Sequence, residues 1–228
     1  MNIDLPEKAA KLLRKIRRNY TVDFEPLVIR DVNLQLLQVQ NLENILQGKD
    51  PFANISEFPF WIKLWEAAII LAEVAASLDP ATAGPRLLEL GAGLGAPGLT
   101  AAARGFDVTL TDYEQIIMNF QRVSAAASGL KPKFALLDWT KSTKMEPFDT
   151  IIGAEILFRE DLLDPLLRVF KKLLKPGGKI YLAHDLRRQT LYKFLEKAKD
   201  DYKVMVKKID LTSDEGKTTV MLNCLQAK

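Results

Sequence analysis

Leu5, Leu12, Leu13 and Ile16 share one side of a helical wheel, and Lys8, Lys11, Arg14, Lys15, Arg17 and Arg18 largely surround the rest. That spacing predicts an amphipathic helix lying on a core. Asp4 is placed to cap it, with Pro6 in the first turn and Glu7 three residues after the cap. The cationic face reads as a solvated docking helix or as a guide for an acidic substrate. Residues 27–40, "LVIRDVNLQLLQVQ", read as extended structure. After "PFANISEFPF", the residues Trp61, Leu64, Trp65, Ala68, Ile69, Ala72, Ala75 and Leu78 recur at helical spacing and predict a helix with one apolar face. Asp79-Pro80 stops it.

From there the pattern alternates. Strand "RLLEL" (86–90) runs into closely spaced glycines, and helix "PGLTAAARG" (97–105) follows. Next come strand "DVTLTD" (107–112), a helix over 114–127, strand "KFALLDW" (133–139) and strand "DTIIGAEIL" (149–157). A helix over 161–174 closed by "KPGG" leads to strand "KIYLAH" (179–184). Strands alternating with helices predict a doubly wound α/β fold, a parallel sheet with helices on both faces. The C-terminus departs from this: helix 187–199 precedes strands "YKVMVKKIDL" and "KTTVMLNCLQA", joined by the short turn "SDEG". Strands joined so tightly are antiparallel neighbours, so the sheet ends in a hairpin.

Composition narrows the classes. A chain of 228 residues with 48% hydrophobic and 27% charged residues is long enough for one sizeable core. A net charge of +3 gives no global field for nucleic acid. A single cysteine, Cys224, excludes an internal disulfide framework and fits a reducing compartment. A single histidine, His184, excludes a His-rich metal site and reads as a surface loop residue, with Cys224 buried. The N-terminus lacks an apolar secretory core, and the apolar stretch near "AAIILAEVAASL" is short and contains Glu73. A cytoplasmic monomer is therefore expected, with no nucleic-acid or membrane partner and no metal.

The candidate chemistry lies in "LLELGAGLGAPGLT", residues 87–100. Gly91, Gly93 and Ala96 formally match the dinucleotide fingerprint, with Asp112 about 20 positions on as its acidic residue. Bare backbone at such a turn suits any nucleotide-like ligand. Charge separates the possibilities. A pyrophosphate on the helix N-terminus would be opposed by Glu89, two residues before the first glycine. S-adenosylmethionine instead carries a sulfonium and an α-ammonium, which a nearby carboxylate favours.

With these residues in view, the chain resembles the class I, seven-stranded S-adenosylmethionine-dependent methyltransferases. "ELGAGLG" (89–95), "TLTDY" (109–113), "LLDW" (136–139) and "FDTIIGAEILF" (148–158) are similar to their first four motifs in the correct order, over roughly residues 51–225. The resemblance implies a Rossmann-like seven-stranded sheet with S-adenosylmethionine bound and S-adenosylhomocysteine as product. It implies that Asp112 holds both ribose hydroxyls, that Asp138 accepts from the adenine amino group and that Trp139 packs on the adenine. Gly91 and Gly93 would let the methionine part pass close to backbone, with Glu89, Ala92, Tyr113 and Ala154 completing the cofactor set. "PFWIKLWEAAIILAEVAASL" (59–78) narrows the likeness to the methyltransferase-like protein lysine methyltransferases and implies that Trp65 lies beside the cofactor pocket. Residues 1–50 are then expected as a helix and extended segment packed on the core, and residues 51–228 as the methyltransferase domain. That family carries Asp-x-x-Tyr after the fourth strand. Here Glu155 and Phe158 stand at those places, so the carboxylate is one methylene longer and the phenol hydroxyl is gone.

Methyl transfer from a sulfonium is an in-line displacement that requires alignment and water exclusion, with no covalent nucleophile. Glu155 is expected to hold and position an incoming lysine ammonium, and Phe158 to offer an aromatic face. Absent motifs narrow the substrate. No Asn-Pro-Pro-Tyr or Asp-Pro-Pro-Tyr follows the fourth strand, and no Pro-Cys is present for a cytosine C5 thiolate mechanism. A lysine of a protein substrate is the leading acceptor. A small-molecule N- or O-methyltransferase, with an apolar lid over residues 20–60, and a degenerate binding module are the alternatives.

Overall fold

The computed structural model describes residues 3–40, 60–213 and 216–228. "PFANISEFPF" up to Pro59, residues 41–50 of the N-terminal segment, and with them residues 41–59 of the stretch proposed as a lid, and Asp214 and Glu215 of the "SDEG" turn lie outside them. The elements are α1 (Glu7–Ile16), β1 (Val22–Ile29), β2 (Val32–Val39), α2 (Glu66–Ser77), α3 (Pro80–Ala83), β3 (Arg86–Glu89), α4 (Ala96–Ala103), β4 (Asp107–Asp112) and α5 (Gln115–Ala127). They continue with β5 (Lys133–Leu136), β6 (Phe148–Ala154), α6 (Leu163–Leu173), β7 (Leu174–Asp185), α7 (Gln189–Ala198), β8 (Tyr202–Ser213) and β9 (Gly216–Ala227).

Strands β3 to β9 form one seven-stranded sheet in the order β5-β4-β3-β6-β7-β9-β8. The first five in that order run parallel, whereas β9 lies antiparallel between β7 and β8. This is the α/β Rossmann-like sheet with an antiparallel C-terminal hairpin that the alternation predicts. Strand period two splits the apolar runs between the faces. Leu88, Ile151 and Leu182 point to α6 and α7, while their neighbours Leu87, Ile152 and Ala183 point to α2, α4 and α5. The strand order reverses between β3 and β6, and the crevice outside the carboxyl ends of parallel strands at such a point is where ligands bind.

The N-terminal segment is a helix plus a separate hairpin. β1 and β2 pair antiparallel from Val22↔Val39 to Ile29↔Val32, around a turn at Arg30, whose φ is 54°. The outer edge of β2 is satisfied by α5: Leu37 N–H donates to Ser124 Oγ and Gln35 N–H to Ser128 Oγ, both at 2.9 Å. A buried strand edge thereby receives acceptors from a helix, as buried amides require. α1 lays Leu13 and Ile16 against Phe120 and Val123 of α5.

Three expectations are corrected. Asp4 does not cap α1; Pro6 occupies the cap position and no side chain bonds the free amides there. The helix expected from Trp61 begins at Glu66, after a 3-10 turn at Phe60–Ile62. Trp61 is instead drawn into an aromatic cluster with Tyr20 and Phe120, at centroid distances of 5.8 and 5.0 Å, which outweighs the helical period. "KPGG" is a bulge within β7: pairing shifts from Phe148↔Leu174 to Thr150↔Lys179, with Gly177 at φ 78°.

Candidate active site

Glu89 ends β3, and the chain then turns through Gly91, Gly93 and Gly95 at φ 58°, 53° and 81° into α4. A side chain at 91 would bring its Cβ to 2.9 Å from Ile156 and 3.5 Å from the Trp139 ring, so this turn needs glycine for space as well as for φ. Glu89 is buried, and Oε2 accepts the N–H of Gly98, the third residue of α4, at 2.9 Å. Burial pushes its carboxyl well above the usual range, the Gly98 bond opposes that and the Asp112 charge adds to it. A Cβ at Gly98 would sit 2.3 Å from that same Oε2, so only glycine lets the helix N-terminus approach the carboxylate. A glycine inside a helix costs about 1 kcal/mol relative to alanine, and here it makes room for this contact.

Asp112 closes β4 with only 6% of its surface exposed. Its Oδ2 accepts from Gly93 N–H at 3.0 Å and its Oδ1 from Tyr113 N–H at 2.8 Å. Burial pushes its pKa up to about 6 against the pull of those two bonds. Gln121 of α5 donates to Gly93 O at 2.9 Å and braces the loop from behind. At the next strand end, Asp138 accepts from Thr140 N–H and Oγ1–H at 3.0 and 2.6 Å and pairs with Lys141 Nζ at 3.0 Å. The Thr140 hydroxyl and Lys141 hold its pKa down to about 2. Trp139 stands against Gly91, and Tyr113 lies exposed at the rim.

On the opposite side, Trp65 occupies the N-cap of α2 with Lys63 Nζ 5.3 Å from its ring centroid. Ala154 ends β6, and Glu155 follows with φ 54°. The Glu155 carboxylate is occupied: Oε1 accepts Asp185 N–H at 2.6 Å and Oε2 accepts Arg188 Nε–H at 2.8 Å. Burial raises its pKa, and the Arg188 charge and hydrogen bond oppose this. His184, read from sequence as a surface loop residue, is fully buried. Strand β7 continues through it to Asp185, which turns its ring onto the α6/α7 side beside Leu182 and Met221. Its Nε2 accepts Leu157 N–H at 3.2 Å, which places the imidazole proton on Nδ1, and burial lowers its pKa to about 3. Cys224 is partly buried.

Trp65, Glu89, Gly91, Ala92, Gly93, Asp112, Tyr113, Asp138, Trp139, Ala154, Glu155 and Phe158 all line one cleft of about 640 Å³ at the carboxyl ends of β3 to β6. That volume suits a nucleoside-sized ligand. Sequence reasoning missed Trp61, Glu114, Ile117, Arg159 and Asp161 in the same wall. Arg159 and Asp161 pair with each other within the loop after β6, and nothing in their local pattern distinguishes them from solvated charges. Two buried carboxyls beside a cradle of bare backbone favour a ligand that is cationic near the glycines and carries hydroxyls near Asp112. No group of three or more His, Cys, Asp or Glu among the described residues is arranged to hold a metal ion.

Known proteins resemble this chain in fold or in sequence. A tRNA (uracil-54, C5)-methyltransferase from Pyrococcus abyssi, solved with S-adenosyl-L-homocysteine, superposes with a TM-score of 0.58 at 18% identity, covering 89% of this chain and 44% of that one. EEF1A lysine methyltransferase 3 of Mus musculus is 33% identical over 129 residues, 55% of this chain and 56% of that protein. Protein N-lysine methyltransferase METTL21A of Xenopus tropicalis is 33% identical over 144 residues, 60% of this chain and 66% of that protein. The match thus spans between half and two thirds of these relatives. Residues 60–201, which carry the cleft's lining from Trp61 to Leu162, match the sequence profile described as lysine methyltransferase, and the chain belongs to that family.

Proposed function

We propose that the chain is an S-adenosylmethionine-dependent methyltransferase that modifies a lysine side chain of a protein substrate in the cytoplasm, acting as a monomer. One observation carries the reading: Glu89 and Asp112, both buried, frame a glycine turn that has no room for a side chain at Gly91, at the point where the strand order reverses. The cofactor fits this donor set. Asp112 would accept from the ribose hydroxyls, and Asp138 and Trp139 would hold the adenine. The backbone of Gly91, Ala92 and Gly93 would hold the methionine part, with Glu89 offering negative charge behind it and Tyr113, Ala154 and Trp65 completing the walls. When bound, S-adenosylmethionine would supply an electrophilic methyl group to the lone pair of a neutral amine, with neutral S-adenosylhomocysteine as the leaving group.

The chain's own part is alignment, exclusion of water and control of the acceptor's proton. A free lysine amine with pKa near 10.4 costs about 4.6 kcal/mol to deprotonate at pH 7. Entry into the apolar end of the cleft, lined by Trp65, Ala154, Ile156 and Phe158, lowers that cost by penalising the ammonium. Phe158 offers a ring face to a methylated ammonium, worth about 0.5 to 2 kcal/mol.

The test is transfer of radiolabelled methyl from S-adenosylmethionine into a cell lysate, with Asp112→Ala as control. A discrete protein band yielding methyl-lysine on hydrolysis supports the proposal; label confined to small molecules, or transfer undiminished in the control, refutes it.

A further inference from the structure

The loop after β6 is fastened at its first and third residues, Glu155 and Leu157, to the segment 183–190, which ends β7 and begins α7. Glu155 N–H donates to Ala183 O at 2.9 Å. Its carboxylate takes Asp185 N–H on one oxygen and Arg188 Nε–H on the other. Leu157 N–H donates to His184 Nε2 at 3.2 Å, and Thr190 Oγ1 donates to Leu157 O. Between these anchors Ile156 turns inward, its Cγ2 within 2.9 Å of where a Cβ on Gly91 would stand, and Phe158 reaches the cleft. Glu155 sits in the left-handed region that L side chains avoid, so the loop needs these ties to hold that conformation.

We propose that His184, Arg188 and Thr190 are positioning residues for the acceptor side, and that Glu155 acts through its pair with Arg188 to hold Phe158 at the cleft rather than by contacting the acceptor. The inference rests on the methyltransferase reading and refines it. The Glu155 and Arg188 side chains are 8% and 4% exposed, and the Arg188 charge and hydrogen bond offset part of what burial costs the Glu155 carboxylate. This pairing removes a conflict. A bare carboxylate beside the acceptor would stabilise its ammonium and oppose deprotonation, whereas a carboxylate already matched to a guanidinium exerts much less of that pull. His184 serves as a fixed acceptor: burial keeps the ring neutral, and Leu157 N–H donating to Nε2 selects the tautomer with its proton on Nδ1.

The experiment uses the full chain with S-adenosylhomocysteine and reads amide hydrogen exchange at Leu157. His184→Leu should accelerate that exchange at least tenfold, and His184→Gln, whose side-chain oxygen accepts the same N–H, should restore it to within threefold. Unchanged protection in His184→Leu, or equal loss in both variants, overturns the clamp; should the leucine variant not fold, exchange in His184→Gln compared with His184→Ala decides. S-adenosylhomocysteine affinity should stay within threefold throughout, which separates loop positioning from general unfolding. In the lysate transfer assay Glu155→Gln and Arg188→Met should each slow transfer at least tenfold, and the double variant should be no slower than the slower single. Multiplying losses would place Glu155 on the acceptor independently of Arg188 and overturn the inference. Absence of transfer by the unaltered chain would count against the methyltransferase reading alone, and the exchange measurement would still decide the clamp.

Discussion

Lowering the pH from 7 to 5 should weaken S-adenosylhomocysteine binding about tenfold through Asp112. The carboxyl has its pKa pushed up to about 6 by burial, with Gly93 and Tyr113 N–H groups holding part of it down. Ribose hydroxyls donate best to the ionised form. If that form alone binds, the fraction competent falls from about nine tenths at pH 7 to about one tenth at pH 5, close to 1.4 kcal/mol. The ligand's own α-ammonium, with pKa near 7.7, stays protonated across this interval and contributes little. Folding stability responds with the opposite sign. A carboxyl whose pKa is raised on folding costs stability above about pH 6, and the cost is relieved as pH falls toward 3.8, by at most about 3 kcal/mol. Titration calorimetry at several pH values, on the native chain and on Asp112→Asn, reads the affinity arm. Asn keeps one acceptor but does not titrate, so the two affinities should converge at pH 5, and the difference in slope isolates Asp112 from Glu89. Affinity that is flat or that rises toward pH 5, or identical slopes in the two proteins, would refute the argument.

Other consequences are independent of that titration. Gly98→Ala should destabilise by about 1–3 kcal/mol, because its Cβ would stand 2.3 Å from Glu89 Oε2; chemical denaturation with an unchanged midpoint would contradict the packing described. Ser124→Ala removes the buried acceptor of Leu37 N–H and should cost about 1–3 kcal/mol, with faster amide exchange at Leu37 as its local signature. Arg14→Glu with Arg17→Glu alters only exposed positions, one in α1 and one at its C-cap, so thermal stability should move by less than about 0.5 kcal/mol per site. If α1 is a solvated docking helix, methyl transfer into the lysate is unaffected; a slower rate on the protein band alone would revive its reading as a guide for an acidic substrate.

Elements whose cause is local were legible in the sequence. The run 107–112 alternates and ends in a carboxylate, and it is β4 with Asp112 at its tip. The glycines at 91, 93 and 95 declare a turn that only they can make, and all three have positive φ. Leu87 and Leu88 are both apolar because the strand between helical layers is buried on both faces. Elements whose cause lies far along the chain were not legible. Trp61 leaves its helical period for a ring at Phe120, and the hairpin of β1 and β2 finds its acceptors on Ser124 and Ser128. His184 looked like a loop residue because strand length depends on pairing with β9, and its neighbours on that face come from other elements. The Glu155–Arg188 pair spans 33 positions, and nothing near either residue announces the other. Periodicity and turn chemistry report what a segment must bury and where it must bend, and those are properties of the segment alone. Which buried charge meets which counter-charge depends on the distances that packing creates, so the glycine turn and the strand-end carboxylates of the cleft were readable in one dimension and the ties of the loop after β6 only in three.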